Sequence, residues 1–275
     1  MIKWKKKYKH FNGETRFGSH YSKSTLTEMN FSCYMPNNEK VVNCLIYLSG
    51  LTCTEENVIT KAGIQRFLSG TNTMLICPDT SPRNLNILGV NDDYDFGEGA
   101  SFYVNATENE YAKNYKMEDY IVKDLIELCK KEFNIIKFGL FGHSMGGHGA
   151  LTLGLKNKCI FTSLSAFSPI VNPILSPWGQ KALRGYLGED KERWLTSDAT
   201  ELIKNNYRSN HSILIDQGLG DEFLDEQLLT NNFIEACKEK GQRCNTRFHK
   251  NFDHSYYFIS TFIKDHIDFH ISCME

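Results

Sequence analysis

The sequence predicts an α/β fold, with a mostly parallel sheet covered by helices on both faces. Short apolar or β-branched segments alternate with segments of helical periodicity from about residue 42 to the C-terminus. The length of 275 residues and the hydrophobic content of 41% suffice for one large core, and no repeat or linker marks a boundary. We therefore expect residues 1–275 to form a single domain.

The apolar segments predict the strands, and the periodic segments predict the helices. Strands are expected at residues 42–48, 73–77, 137–141, 162–167, 212–215 and 245–248. Helices are expected at residues 55–68, 117–133, 146–155, 225–240 and 256–270. Residues 5–11 and 26–34 precede this alternation without a long helix between them, so they are expected to be antiparallel edge strands.

Charge and composition favour small-molecule chemistry over binding to nucleic acid or membranes. The formal net charge of -2 gives no basic field, and no apolar stretch approaches the length of a membrane span. The basic run from Lys3 to Lys9 has no apolar segment after it, unlike a signal peptide. The nine scattered cysteines lack zinc-site spacing and are typical of reduced thiols. We expect a cytoplasmic protein.

A G-x-S-x-G motif at Gly142, Ser144 and Gly146 indicates a nucleophile. A predicted strand leads into it and a Gly- and Ala-rich helical segment leaves it, which is the context that this motif needs. A tight turn projects the serine hydroxyl above the sheet, and the glycines let the two backbones approach. The pattern predicts an α/β-hydrolase fold with Ser144 as the nucleophile; a glycine turn whose serine only caps a helix is the alternative.

A serine nucleophile needs a histidine base and an acid that orients the histidine. In α/β-hydrolases both follow the serine in the order acid, then histidine, on loops at the carboxyl ends of strands. His254 lies on the short loop between the last predicted strand and the last helix and is the predicted base. Asp221 is the predicted acid, with Asp216 as the runner-up. Glu222 ranks third, and Asp253 is interpreted as a loop-stabilising residue.

Two backbone amides are predicted to stabilise the oxyanion. Met145 is the first residue after the nucleophile, where the N-terminus of a helix offers free amides. The segment SGLTCT follows the first buried strand, and the amide of Leu51 is the second predicted donor. The side chains of Ser49, Thr52 and Thr54 are equally consistent with turn and capping roles.

Several longer segments resemble the S-formylglutathione hydrolase family, also called esterase D. These segments are LSGLTCTEEN (48–57), PDTSPR (78–83), DFGEGASFYVNAT (95–107), FGHSMGGHGAL (141–151), SAFSPIVNPILSPWG (165–179), GYLG (185–188), ILIDQG (213–218) and DHSYYFI (253–259). The family's nucleophile, acid and base match Ser144, Asp221 and His254, in agreement with the assignment from chain order.

The resemblance implies hydrolysis of S-formylglutathione to formate and glutathione, with no metal or organic cofactor. It also implies that Cys53 lies near the bound substrate and that Trp178 belongs to the pocket wall. A packed, inert thiol is the alternative for Cys53, and a buried core tryptophan fits Trp178 equally well. Members of the family often form homodimers. The alternatives are a general carboxylesterase or acyltransferase with the same triad and a noncatalytic binding protein of the same fold.

Overall fold

Nine strands form one sheet in the computed structural model, which describes residues 1–38 and 40–275. The strands are β1 (Lys3–His10), β2 (Gly13–Ser22), β3 (Thr27–Pro36), β4 (Asn43–Leu48), β5 (Thr73–Pro78), β6 (Lys137–His143), β7 (Phe161–Phe167), β8 (Ile213–Gly218) and β9 (Cys244–His249). Their order across the sheet is β1-β2-β3-β5-β4-β6-β7-β8-β9. The pairs β1–β2, β2–β3 and β3–β5 are antiparallel. All other neighbouring pairs of the sheet, from β5–β4 to β8–β9, are parallel. The predicted fold class is confirmed.

Helices lie between the parallel strands along the chain, and one long helix follows the last strand. They are α1 (Asn57–Lys61), α2 (Gln65–Leu68), α3 (Met117–Asp119), α4 (Ile126–Phe133), α5 (Met145–Lys156), α6 (Pro177–Leu187), α7 (Lys191–Leu195), α8 (Ala199–Lys204), α9 (Thr230–Lys240) and α10 (Tyr256–Met274). A π-helical segment, Tyr120–Leu125, joins α3 to α4, so the predicted helix at residues 117–133 is continuous.

Alternation along the central strands divides the core between the two faces of the sheet. In β4, Ile46 and Leu48 face the cluster that includes α5, whereas Leu45 and Tyr47 face the cluster that includes α10. All six residues of this strand are buried, as expected for a strand covered on both sides. No helix in residues 1–38 or 40–275 is long and apolar enough to cross a membrane.

The structure corrects the prediction at the sheet edge. Two antiparallel edge strands were expected, but the segment between them forms a third, β2, which pairs with both β1 and β3. Its sequence, GETRFGSHYS, mixes glycine, charged and polar residues without a regular alternation. Pairing on both sides stabilises it as a strand, and the single-sequence pattern carries no sign of that pairing.

Two predicted helices are interrupted by residues with positive φ. The expected helix at residues 55–68 divides into α1 and α2, with Gly63 at φ 62° between them. The expected helix at residues 225–240 begins as a π-turn, Leu224–Leu228, and α9 starts after Leu229, whose φ is 56°. Helical periodicity reports the buried face of a segment, and it persists across such a break.

Helices α6, α7 and α8 were not predicted. Each begins with a side chain that accepts a hydrogen bond from a backbone amide of its first turn, namely Ser176, Asp190 and Asp198. These N-cap residues, together with Pro177 at the first turn of α6, were the local signals that could have located the three helices.

Candidate active site

Ser144 occupies a strained turn between the end of β6 and the start of α5. Its backbone has φ 57° and ψ -120°, a combination that residues with a side chain rarely adopt. Its amide donates to the carbonyl of Phe167 at 3.0 Å, and its own carbonyl accepts from the amides of His148 (2.9 Å) and Ile170 (3.2 Å). These bonds hold the turn from β7 and from α5, so the serine stays in a conformation that the isolated chain would avoid.

The two glycines of the motif are required by direct backbone contact. A Cβ added to Gly146 would lie 1.9 Å from the carbonyl oxygen of Leu48, and one added to Gly142 would lie 2.3 Å from the carbonyl oxygen of Gly146. Helix α5 therefore starts in contact with the end of β4. A side chain at either position would push the turn away from the sheet.

The amides of Met145 and Leu51 are both free to bind an anion. Neither donates a hydrogen bond to another group among residues 1–38 and 40–275. Met145 is the first residue of α5, where amides lack intrahelical partners and the helix dipole favours negative charge. A Cβ built on Gly50, which precedes Leu51, would lie 3.1 Å from the Cβ of Ser144. The loop after β4 thus touches the serine turn.

His254 and Asp221, predicted from different loops, form a short hydrogen bond. The distance from His254 Nδ1 to Asp221 Oδ2 is 2.6 Å. The side chain of Asp221 is fully buried, and that of His254 is 16% exposed. Because Nδ1 faces a carboxylate, Nε2 is the ring nitrogen left to act as a base toward the serine side.

The other three acidic candidates have different environments. Asp216 is buried and binds Arg247 in two contacts of 2.6 and 2.5 Å, so it links β8 to β9. Strand β8 continues past Asp216 to Gly218, whereas the sequence had placed the strand end at residue 215. Glu222 is exposed, and Asp253 accepts from the amide and hydroxyl of Ser255 at the start of α10.

Aromatic side chains enclose the ring of His254. The ring of His143 lies 4.3 Å from it between centroids, and the ring of Phe223 approaches it edge-on at 5.1 Å. Trp178 packs against Phe223 at 4.8 Å and donates its indole N–H to the hydroxyl of Tyr94 at 3.2 Å. Trp178 therefore contacts Phe223, which in turn contacts the predicted base His254. Sequence reasoning did not identify Phe223 or Tyr94, which lie in segments without a recognisable motif.

Cys53 is buried beside the loop that carries Leu51. Its carbonyl oxygen accepts from the hydroxyl of Thr80 at 2.6 Å and from Arg83 Nη2 at 3.1 Å. Burial raises the pKa of the Cys53 thiol above its ordinary value, which disfavours the reactive thiolate at neutral pH. Its main-chain contacts therefore anchor the loop, whether or not the thiol reacts.

No hydrogen bond joins Ser144 Oγ to His254 Nε2 among the residues that the structure describes. Such bonds are often long in the absence of substrate and shorten in the reactive complex. The arrangement otherwise provides a strained serine at a helix N-terminus, two free amides and a histidine bonded to a buried carboxylate. This fold and this site together define a serine hydrolase of the α/β-hydrolase class.

Comparisons with known proteins agree with that class and narrow it. The family model described as "Putative esterase" matches residues 22–269. The S-formylglutathione hydrolase of Rattus norvegicus is 48% identical over 265 residues, covering 94% of each chain, and that of Arabidopsis thaliana is 47% identical over 273 residues, covering 97% of this chain and 96% of the other. The solved structure of an S-formylglutathione hydrolase from Agrobacterium tumefaciens superposes with a TM-score of 0.96 at 39% identity, covering 99% of this chain and all of the other. The chain belongs to the S-formylglutathione hydrolase family of esterases.

Proposed function

We propose that this enzyme hydrolyses the thioester S-formylglutathione to glutathione and formate, with Ser144 as nucleophile, His254 as general base and Asp221 as the acid that orients it. The observation that carries the mechanism is the 2.6 Å hydrogen bond from His254 to the buried Asp221, on loops that follow the strained Ser144 in the order of this fold. The substrate assignment is supported by relatives named S-formylglutathione hydrolase at 47–48% identity over nearly the whole chain.

In the first half of the reaction, Ser144 Oγ attacks the formyl carbon while its proton passes to His254 Nε2. The carbonyl oxygen becomes negative, and the amides of Leu51 and Met145 donate to it. Asp221 stabilises the imidazolium that forms on His254. The carbon–sulfur bond then breaks, and glutathione leaves as a thiol with the proton that His254 held.

In the second half, water replaces glutathione. His254 Nε2 accepts a proton from the water, whose oxygen attacks the formyl carbon of the acyl-enzyme. The bond from carbon to Ser144 Oγ breaks, and His254 returns the proton to the serine. The product is formate, and the enzyme recovers its starting state without any redox change.

The proposal is tested by comparing S-formylglutathione with p-nitrophenyl acetate as substrates of the wild type and of Ser144→Ala. Ser144→Ala should lower both rates by at least about a thousandfold, since it removes the atom that forms the acyl-enzyme. The wild type should prefer the formyl thioester. Ester cleavage without that preference would leave the serine mechanism intact and favour a general carboxylesterase or acyltransferase.

A fluorophosphonate probe separates an enzyme from a noncatalytic protein of the same fold. It should label the wild type once per chain and leave Ser144→Ala unlabelled. Absence of labelling in the folded wild type would contradict the proposed mechanism.

We also propose that the enzyme acts in the cytoplasm as a homodimer. All nine cysteines lie in the described residues and are free, which is typical of a reducing compartment. The proposal of a homodimer is based on the family resemblance. Sedimentation of the purified protein tests it, and a monomer would contradict it.

A further inference from the structure

Gln217 contacts the carboxylate that His254 uses, and the mechanism above gives it no role. It lies in β8 and is fully buried. Its amide nitrogen is 3.3 Å from Asp221 Oδ2 and 3.0 Å from the carbonyl oxygen of Gly218. Its amide oxygen accepts from the hydroxyl of Thr230 at 2.8 Å, and Ser168 Oγ lies 3.3 Å from the nitrogen. Every polar atom of this side chain is therefore occupied.

The two ends of the Gln217 amide are identified by the chemistry of their partners. A backbone carbonyl and a carboxylate only accept hydrogen bonds, so the group facing Gly218 and Asp221 must be the NH₂. The oxygen then faces Thr230, whose hydroxyl can donate. If the amide were turned over, its oxygen would face the oxygens of Gly218 and Asp221, which cannot donate. Only one orientation of the amide therefore satisfies these hydrogen bonds.

Asp221 receives three donors from three different parts of the site. Oδ2 accepts from His254 Nδ1 at 2.6 Å and from Gln217 Nε2, and Oδ1 accepts from the amide of Phe223 at 3.0 Å. A carboxylate can rotate about its bond to Cβ, which would move Oδ2 away from the histidine. Donors to both oxygens oppose that rotation, and one of the donors, Gln217, comes from strand β8.

We propose that Gln217 and Thr230 are positioning residues that hold Asp221 Oδ2 against His254. This inference rests on the proposed function, since it assigns the pair a role in the same triad. Thr230 is the first residue of α9, so the hydroxyl that orients the amide comes from a helix, while the amide comes from the sheet. The orientation of the amide that contacts the acid thus depends on a hydrogen bond between α9 and β8.

The first test is Gln217→Met, which keeps the side-chain length and removes the amide. If the pair positions Asp221, kcat for p-nitrophenyl acetate and the rate of fluorophosphonate labelling of Ser144 should fall about 10- to 100-fold, as for other residues that orient a reacting group. KM should change by less than about twofold, because Gln217 is fully buried behind Asp221. The far-downfield proton resonance of the bond between His254 and Asp221 should shift or broaden.

Gln242→Met is the matched control. Gln242 is also a buried glutamine with both ends bonded, since it accepts from the amide of Ser209 and donates to the carbonyls of His211 and Arg243. It lies beside the first residues of β8 and β9, at the opposite ends of these strands from the site. Its replacement should cost stability but leave kcat and the downfield resonance unchanged.

Thr230 supplies a second test that does not depend on the folding of Gln217→Met. Thr230→Val removes the hydroxyl without changing shape, so it should lower kcat and disturb the resonance in the same direction, by about three- to tenfold. Thr230→Ser keeps the hydroxyl and should restore both. If folded Thr230→Val and Gln217→Met keep wild-type kcat, labelling rate and resonance, the inference is wrong.

These outcomes are separate from those of the proposed function. Failure of Ser144 labelling in the wild type would reject the triad itself. Wild-type labelling by both Gln217→Met and Thr230→Val would reject only the positioning role. A loss of preference for glutathione thioesters affects neither readout.

Discussion

Ser144 shows how a single residue is held in a reactive conformation. A non-glycine residue with positive φ costs about 1–3 kcal/mol, and this cost is offset by the contacts that hold the turn. Those contacts need Gly142 and Gly146, because backbone atoms of β4 and α5 come within the space that a Cβ would take. The turn follows the end of β6, where the ring of His143, the residue before Ser144, lies 4.3 Å from the ring of His254.

Asp221 and Asp216 lie five positions apart in the chain but have different partners, His254 for Asp221 and Arg247 for Asp216. Asp221→Asn should lower kcat by about 10⁴-fold in a folded protein, because an amide fails to hold the tautomer of His254 that accepts the serine proton. Asp216→Asn should retain most of the activity but lose about 1.5–3 kcal/mol of stability, since the hydrogen bonds from Arg247 and His266 would no longer meet a buried carboxylate. Kinetics and urea unfolding of both variants check this. Greater loss of kcat in Asp216→Asn would mean that Asp221 is the wrong acid.

At the scale of elements, Arg83 connects the loop after β4 with the segments around Asp79 and Glu98. Its guanidinium binds Asp79 at 2.7 Å and donates to the carbonyls of Cys53 and Glu98, each at 3.1 Å. The amide of Thr52 also donates to the carbonyl of Gly99 at 2.8 Å. The loop that carries Leu51 is therefore fixed to neighbouring segments by the Arg83 side chain and by a backbone hydrogen bond.

Replacing Arg83 should test this connection. Arg83→Gln should lower the free energy of unfolding by about 3 kcal/mol, because it leaves Asp79, whose side chain is 2% exposed, without its cation. It should also lower kcat, since the loop that carries Leu51 loses an anchor. Urea unfolding and steady-state kinetics measure the two effects.

Arg184 provides the control for that experiment. It pairs with Glu189 at 2.9 Å, but both side chains are more than half exposed. Arg184→Gln should therefore change stability by less than about 1 kcal/mol. If Arg83→Gln is as mild as Arg184→Gln, the guanidinium does not anchor the loops.

At the scale of the whole molecule, five buried histidines make stability depend on pH. Burial lowers the pKa of His20, His143, His266 and His270 below the ordinary value, and it lowers the pKa of His148 to about 3. Below pH 6.5 the unfolded chain binds more protons at these positions than the folded chain does. Stability is therefore complete above about pH 6.5 and falls as the pH decreases from there.

Each buried histidine contributes a slope of at most about 1.4 kcal/mol per pH unit, reached where the unfolded chain is protonated at that position and the folded chain is not. Burial also acts on Asp216, but its hydrogen bonds with His266 and Arg247 lower its pKa, so its contribution is lost only below about pH 4. Urea unfolding at intervals between pH 7.5 and 5 should show the decline. Stability that stays constant across this range would contradict the neutral, buried state of these rings.

The sequence by itself determined the fold class, the parallel centre of the sheet and the chain order of the candidate triad. These features follow from local sequence patterns: apolar strand segments, helical periodicity, and a serine between glycines where a strand meets a helix. They depend on near neighbours in the chain, so a single sequence contains them. The same patterns did not predict β2, whose strand conformation depends on pairing with β1 and β3. They also did not predict the helix breaks at Gly63 and Leu229, because the apolar periodicity continues across both breaks.

Only the tertiary structure decided how the acidic residues are distributed. Side chains alternate along β8, so Asp216 points toward α10 and binds Arg247 and His266, while Gln217 points to the opposite face and meets Thr230 of α9. Asp221 reaches His254 because the chain turns back after the strand. Which carboxylate meets the histidine, and which amide orients it, depends on the packing of α9, α10 and β9 around one strand end, and residues distant in sequence supply those contacts.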